Sequence, residues 1–93
     1  LRTWVLNEVK KAGFNPVLAD TLITCESGWN PLAKHWNPPT PTRPGTWDAG
    51  LWQINDVHGM SQEERLDPYK NTEMAIELLK SKRSWNHWVC FKG

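Results

Sequence analysis

The sequence predicts a mainly α-helical domain with a minor β element, an α+β class that rests on three observations. Apolar residues recur at helical spacing in three separated stretches. Each stretch is bounded by residues that cap or stop a helix. The middle of the chain is instead dense in proline and is followed by one short, extended-looking run. At 93 residues, positions 1–93 read as a single domain that buries roughly 65% of its unfolded surface.

The elements follow in chain order. Leu1, Trp4, Val5, Val9 and Ala12 make the first helical stripe, and Gly13 is its stop. Asn15-Pro16 reads as an N-cap followed by a first helical position, opening a second helix through Val17, Leu18, Leu22 and Cys25 that Gly28 ends. Five of the seven prolines lie between Pro31 and Pro44, which predicts an ordered, non-helical surface loop. Gly50–Asn55, "GLWQIN", reads as a strand or strand fragment. Ser61-Gln62-Glu63-Glu64 has the pattern of a capping box opening one short turn. Asp67-Pro68 then opens a third helix whose stripe is Met74, Ala75, Leu78 and Leu79.

Composition narrows the function. With 11 basic and 10 acidic residues the formal charge is +1, so there is no electrostatic footprint for nucleic acid or an anionic membrane. No apolar run approaches a membrane span and no signal peptide is evident; the chain begins at Leu1, as a mature or excised domain would. A monomer without a cofactor is expected. No pair among the two cysteines and three histidines has zinc-ligand spacing, so no metal site is expected. Seven tryptophans exceed what so small a core needs. Trp29 and Trp85 fit the core, whereas Trp36 and Trp47 flank the proline-rich loop, where flat rings could stack on sugar faces.

The acids sort by elimination. Glu8, Glu73 and Glu77 fall on polar helix faces near Lys11 and Lys80; Asp20 lies in an early helical turn; Asp67 is a cap; Glu63 and Glu64 belong to the capped turn. Glu26, Asp48 and Asp56 remain. Glu26 falls in the last turn of the second helix, where the helix dipole disfavours an anion, and among the apolar Ile23, Cys25 and Trp29. Both effects raise a carboxyl pKa, as a general acid working near neutrality needs. A glutamate at a fraying helix end that points to water is the alternative on spacing alone.

"ESGWNPLA" (Glu26–Ala33) followed by "DAGLWQIN" (Asp48–Asn55) resembles the lysozyme superfamily, which joins lysozymes with the soluble lytic transglycosylase type. "LDPYKNTEMAIELL" and "WNHWVC" fit its later helix and its ending, so the resemblance spans Thr24 to Cys90. It is nearest to small domains of phage lysins, phage tail proteins and actinobacterial cell-wall enzymes. The resemblance implies a small lysozyme-like fold and a peptidoglycan glycosidase that cleaves the β-1,4 bond between N-acetylmuramic acid and N-acetylglucosamine. It implies Glu26 as the catalytic acid, with Gln53 and Asn55 as cleft residues. Ser27, Trp47 and His58 are further candidates for substrate contact. Asp48 stands where animal-type lysozymes carry their second carboxylate, which favours hydrolysis. Many lytic transglycosylases lack an acid there and let the sugar's 6-hydroxyl attack, leaving a 1,6-anhydro end. In an unbroken strand Asp48 and Gln53 would face opposite sides, so a turn or bulge near Gly50 is required for both to line one cleft.

The resemblance to resuscitation-promoting-factor domains further implies a disulfide between Cys25 and Cys90. Such a bridge would close a loop of about 64 residues and contribute about 4 kcal/mol in the chain-entropy model. It points to an oxidising location: extracellular, at the cell wall or on a virion. Two free thiols are the alternative, and they would keep open a cell-wall cysteine peptidase built on Cys25 with His58 or His87. A non-catalytic carbohydrate-binding module would also account for the tryptophans.

Overall fold

The computed structural model describes residues 1–82 together with Trp85, Trp88 and Cys90. Its elements are α1 (Arg2–Lys11), α2 (Pro16–Ser27), β1 (Lys34–Asn37), β2 (Thr46–Ala49), β3 (Ile54–Asn55), a 3-10 turn (Asp56–His58), α3 (Gln62–Arg65) and α4 (Pro68–Lys82). The strands form one antiparallel sheet in the order β1-β2-β3. The α+β class expected from the sequence is therefore the class observed.

The helix ends behave as their sequences require. Asn15 accepts a hydrogen bond from Val17 N at 2.9 Å, with Pro16 opening α2 behind it. Gly28 closes α2 in the left-handed conformation, φ 62°, which a residue bearing a Cβ adopts at a cost. Ser61 and Glu64 make the reciprocal bonds of a capping box around α3. Asp67 caps α4 by accepting from Tyr69 N at 2.9 Å.

The core lies between the helices and the inner end of the sheet: Val5 and Val9 from α1, Ala19, Leu22 and Ile23 from α2, Ala75 and Leu79 from α4, with Leu51, Trp52, Ile54 and Trp88. On α2 the buried stripe differs from the expected one. Val17 and Leu18 are exposed, as is Cys25, while Ala19, Leu22 and Ile23 carry the packing. Positions 19, 22 and 23 continue at helical spacing to 26, so Glu26 occupies the next place on the buried stripe. Trp29 and Trp85 pack on the core edge partly buried; the deeply buried rings are Trp52 and Trp88.

The middle of the chain is non-helical, as expected, but more structured than a loop. Lys34–Asn37 pairs with Thr46–Ala49, and a Thr40–Arg43 bridge closes the proline-rich hairpin between them. The expected strand at Gly50–Asn55 is reduced to Ile54–Asn55. Gly50–Gln53 is a turn instead, with left-handed backbone at Gly50 (φ 84°) and Gln53 (φ 51°). The cause is steric. A Cβ on Gly50 would lie 2.1 Å from Arg65 O and 2.2 Å from Asn71 Nδ2, so the chain passes hard against α3 and α4 and bends there.

Candidate active site

The site grows from two walls. On the first, α2 ends by projecting Glu26 from its buried stripe, half-buried, into a cavity that Leu78 and Trp88 also line. Burial pushes the Glu26 carboxyl above the ordinary glutamate range, and the nearby charge of Asp48 adds to the rise. A hydrogen bond from Cys90 N to Glu26 Oε1 (3.3 Å) and the positive potential of His35 act in the opposite sense. Cys90 reaches this point because it is bonded to Cys25, the residue before Glu26, with Cα atoms 6.3 Å apart.

The second wall is one face of the sheet. Registry places Asp48 opposite His35 on β1 and opposite Asn55 on β3, and Asn37 opposite Thr46. Because side chains alternate, these five residues share a face and Trp36 and Trp47 share the other. Asp48 is held at both oxygens: Asn55 Nδ2 donates to Oδ1 at 2.8 Å and Asn37 Nδ2 to Oδ2 at 3.0 Å. Asn55 Nδ2 also reaches Thr46 Oγ1 at 3.0 Å, and its Oδ1 accepts from Val57 N at 3.1 Å, so its amide is pinned from both ends.

A buried scaffold holds the walls in relation. Asn71, fully buried on α4, donates to Ala49 O (2.9 Å) and Arg65 O (2.8 Å) and accepts from Trp52 N (2.9 Å). One amide thus satisfies two backbone groups at the bend after Asp48 and the last carbonyl of α3. Trp52 Nε1 donates to Thr72 Oγ1 at 3.1 Å. Arg65, 3% exposed, donates to Trp47 O (2.7 Å) and Ile54 O (2.9 Å) and pairs with Asp56 at 2.6 Å. Asp56, the third unexplained acid of the sequence, also accepts from Trp47 N at 2.8 Å and is structural.

Between the walls lies a cavity of about 710 Å³, lined by Glu26, Asp48, Gln53, Asn55 and His58, with the hairpin residues Thr40 and Arg43 at its rim. The bend at Gly50 is what brings Asp48 and Gln53 to the same side. Gln53 Nε2 is spent on Ala33 O (3.0 Å) and Gly50 O (2.9 Å), which fixes its side chain in the wall. Burial lowers the His58 pKa below the ordinary imidazole range, against the opposing pull of Asp48.

Two candidates stand elsewhere. The Ser27 hydroxyl donates to Leu51 O at 2.7 Å, tying the end of α2 to the bend rather than facing the cavity. Trp47 packs against Trp36 with ring centroids 5.2 Å apart, on the sheet face away from Asp48. Sequence reasoning missed Asn37, Thr46 and His35. Their only signal is alignment with Asp48, which requires the strand pairing to be known. Asn71 stood inside a quoted motif, with its buried role unread. Among the described residues no group of three or more acidic, histidine or cysteine side chains is arranged to hold a metal. No helix among them is long and apolar enough to cross a membrane. With Cys25 in a disulfide, the peptidase alternative lacks its nucleophile. His87, its other proposed base, lies outside the described residues.

The family model of the transglycosylase SLT domain matches residues 4–90, extending the similarity to the first helix. Comparison with curated proteins and with solved structures gives no match. The chain belongs to the transglycosylase SLT domain family, whose lysozyme-like activity is directed at peptidoglycan.

Proposed function

We propose that this chain is an N-acetylmuramidase that hydrolyses the β-1,4 bond between N-acetylmuramic acid and N-acetylglucosamine, with Glu26 as general acid and Asp48 as its ionised partner. The observation that carries the reading is the Asp48 carboxylate, clamped by Asn37 and Asn55 on the wall of the cavity that Glu26 also lines. In this mechanism the half-buried Glu26 donates its proton to the glycosidic oxygen as the bond to the muramic anomeric carbon lengthens. Positive charge develops on that sugar ring. Asp48, held rigid by two amides, needs no reorganisation to stabilise or trap it. Water then attacks the anomeric carbon, with the Glu26 carboxylate taking its proton, and the acid is regenerated.

Gln53, Asn55 and His58, which line the cavity, are read as the contacts to sugar hydroxyl and acetamido groups, whereas Trp36 and Trp47 lie on the other sheet face and take no part in them. Ser27 acts by holding Glu26 in place through Leu51. No cofactor enters these steps. The disulfide suits work outside the reducing cytosol, at a cell wall or on a virion, by a monomer acting on glycan strands.

A second reading is favoured by the family's own description, transglycosylase. There the muramic 6-hydroxyl replaces water and leaves a 1,6-anhydro end. Mass analysis of digested peptidoglycan separates the two. Reducing muramic ends are expected for the hydrolase; ends one water lighter would overturn hydrolysis and leave Glu26 in its role. A sugar-binding module would leave the strands uncut.

A further inference from the structure

We propose that Cys90 is a positioning residue for the acid: its backbone N–H, carried to Glu26 by the bridge to Cys25, orients the Glu26 carboxyl and selects which of its oxygens bears the proton. The proposal rests on the reading of Glu26 as acid. It gives the disulfide a part in the chemistry beyond cross-linking the chain.

The geometry is direct. Cys90 N donates to Glu26 Oε1 at 3.3 Å across 64 positions of sequence. A backbone N–H can only donate, so Oε1 accepts, and because a carbonyl oxygen accepts better than a hydroxyl the transferable proton is favoured on Oε2. Among the described residues no other hydrogen bond to the Glu26 carboxyl is made, so within them this N–H is what distinguishes the two oxygens. The bridge delivers it, because Cys25 and Glu26 are neighbours on the last turn of α2. Trp88, two residues before Cys90, lines the cavity and donates its ring N–H to Trp52 O, so the same stretch contributes to the floor beneath Glu26. Both cysteines are solvent-exposed, so an external thiol can reach the bridge.

A bridge that only stabilised the fold would behave differently when cut. Loosening of the site would admit water to Glu26 and relax its pKa downward toward the ordinary value. Removing the N–H while the burial of the carboxyl is unchanged does the reverse, because that bond favours the carboxylate. The two roles therefore move the Glu26 titration in opposite directions.

The test follows the Glu26 carboxyl carbon by NMR against pH, in the oxidised protein and after dithiothreitol. The dithiol passes two electrons and two protons to the bridge, leaving two cysteine thiols and its own cyclic disulfide. The Cys25→Ser/Cys90→Ser variant is the companion. The midpoint is expected to rise while wall-clearing activity falls about tenfold, the equivalent of one ordinary hydrogen bond. A midpoint that stays or falls overturns the proposal. Should the cut protein lose its circular dichroism, the oxidised protein decides. The Cys90 amide shift must titrate with the Glu26 midpoint, and that dependence must vanish in Glu26→Gln; a flat Cys90 shift overturns it. Neither midpoint depends on turnover, so a failure of Glu26 as the acid is read separately, from the activity of Glu26→Gln.

Discussion

The two walls of the cavity carry the same functional group in opposite settings. Glu26 stands at a helix C-terminus, on a stripe otherwise occupied by Ala19, Leu22 and Ile23, with one backbone donor among the described residues. Asp48 stands in a sheet with an amide on each oxygen. One wall withholds water and hydrogen bonds from a carboxyl; the other supplies donors to it. A half-buried carboxyl at the negative end of a helix favours the protonated form, which can give a proton away. A carboxylate that accepts two N–H bonds has its orientation fixed and its charge directed at whatever lies in the groove. On the proposed roles, division of labour between two chemically similar side chains comes from secondary structure: a helix end for the acid, a strand register for its partner.

The comparison breaks most visibly if the proton donor is removed. Glu26→Gln keeps shape and the Cys90 contact but has no proton to give, so cleavage should fall by ~10²–10⁴-fold with the circular dichroism unchanged. Cell-wall clearing within a few-fold of the parent would mean that the helix wall is not the acidic one. Asp48→Asn tests the other wall. It should slow hydrolysis by roughly 10²-fold, about 3 kcal/mol of lost charge stabilisation. It should matter little if the 6-hydroxyl closes an anhydro ring unaided. Turnover of soluble glycan fragments by the two variants separates these outcomes.

Next in size is the joint between the walls. Asn71→Ala strands Ala49 O, Arg65 O and Trp52 N in the interior, which should lower unfolding free energy by about 3 kcal/mol in a urea titration. A loss under 1 kcal/mol would show that the bend after Asp48 holds itself. Gly50→Ala should be at least as harmful, since the new methyl meets backbone at Arg65 as well as a left-handed φ.

Legibility in the sequence followed the range of the interactions. Asn15-Pro16, Gly28, the Ser61–Glu64 box and Asp67 act within a few residues of themselves, so the helix limits were readable. The strands were not. Lys34–Asn37 has no apolar alternation and becomes a strand because Thr46–Ala49 lies beside it. The same dependence hid Asn37, whose contact with Asp48 exists only once β1 and β2 are in register. Gly50–Gln53 looked extended because nothing local reveals that α3 and α4 crowd its backbone. Their apolar character puts Val17 and Leu18 on the expected stripe, whereas the packing turns it by one position, to Ala19 and Ile23, and thereby reaches Glu26. Asp56 resisted assignment until Arg65 supplied its partner from nine positions downstream.

The smallest expected effect concerns stability and bears on the helix wall alone. The folded pKa of Glu26 is raised above its ordinary value of 4.5, chiefly by burial. Between the unfolded and folded values the native state therefore binds more proton than the unfolded chain. Stability contributed by this group is present below the unfolded pKa and is lost as pH rises through the folded one. As pH rises through the folded value, charging Glu26 becomes a net cost to the fold. Glu26→Gln removes that cost while its amide oxygen still accepts from Cys90. The variant should thus melt slightly higher than the parent at pH 7 and equal to it, or lower, at pH 4. The sign of the difference is what matters, and calorimetry of both proteins at the two pH values measures it. A variant that is less stable at pH 7 and unchanged at pH 4 would mean that Glu26 is stabilised as a carboxylate, and the contrast with Asp48 would collapse.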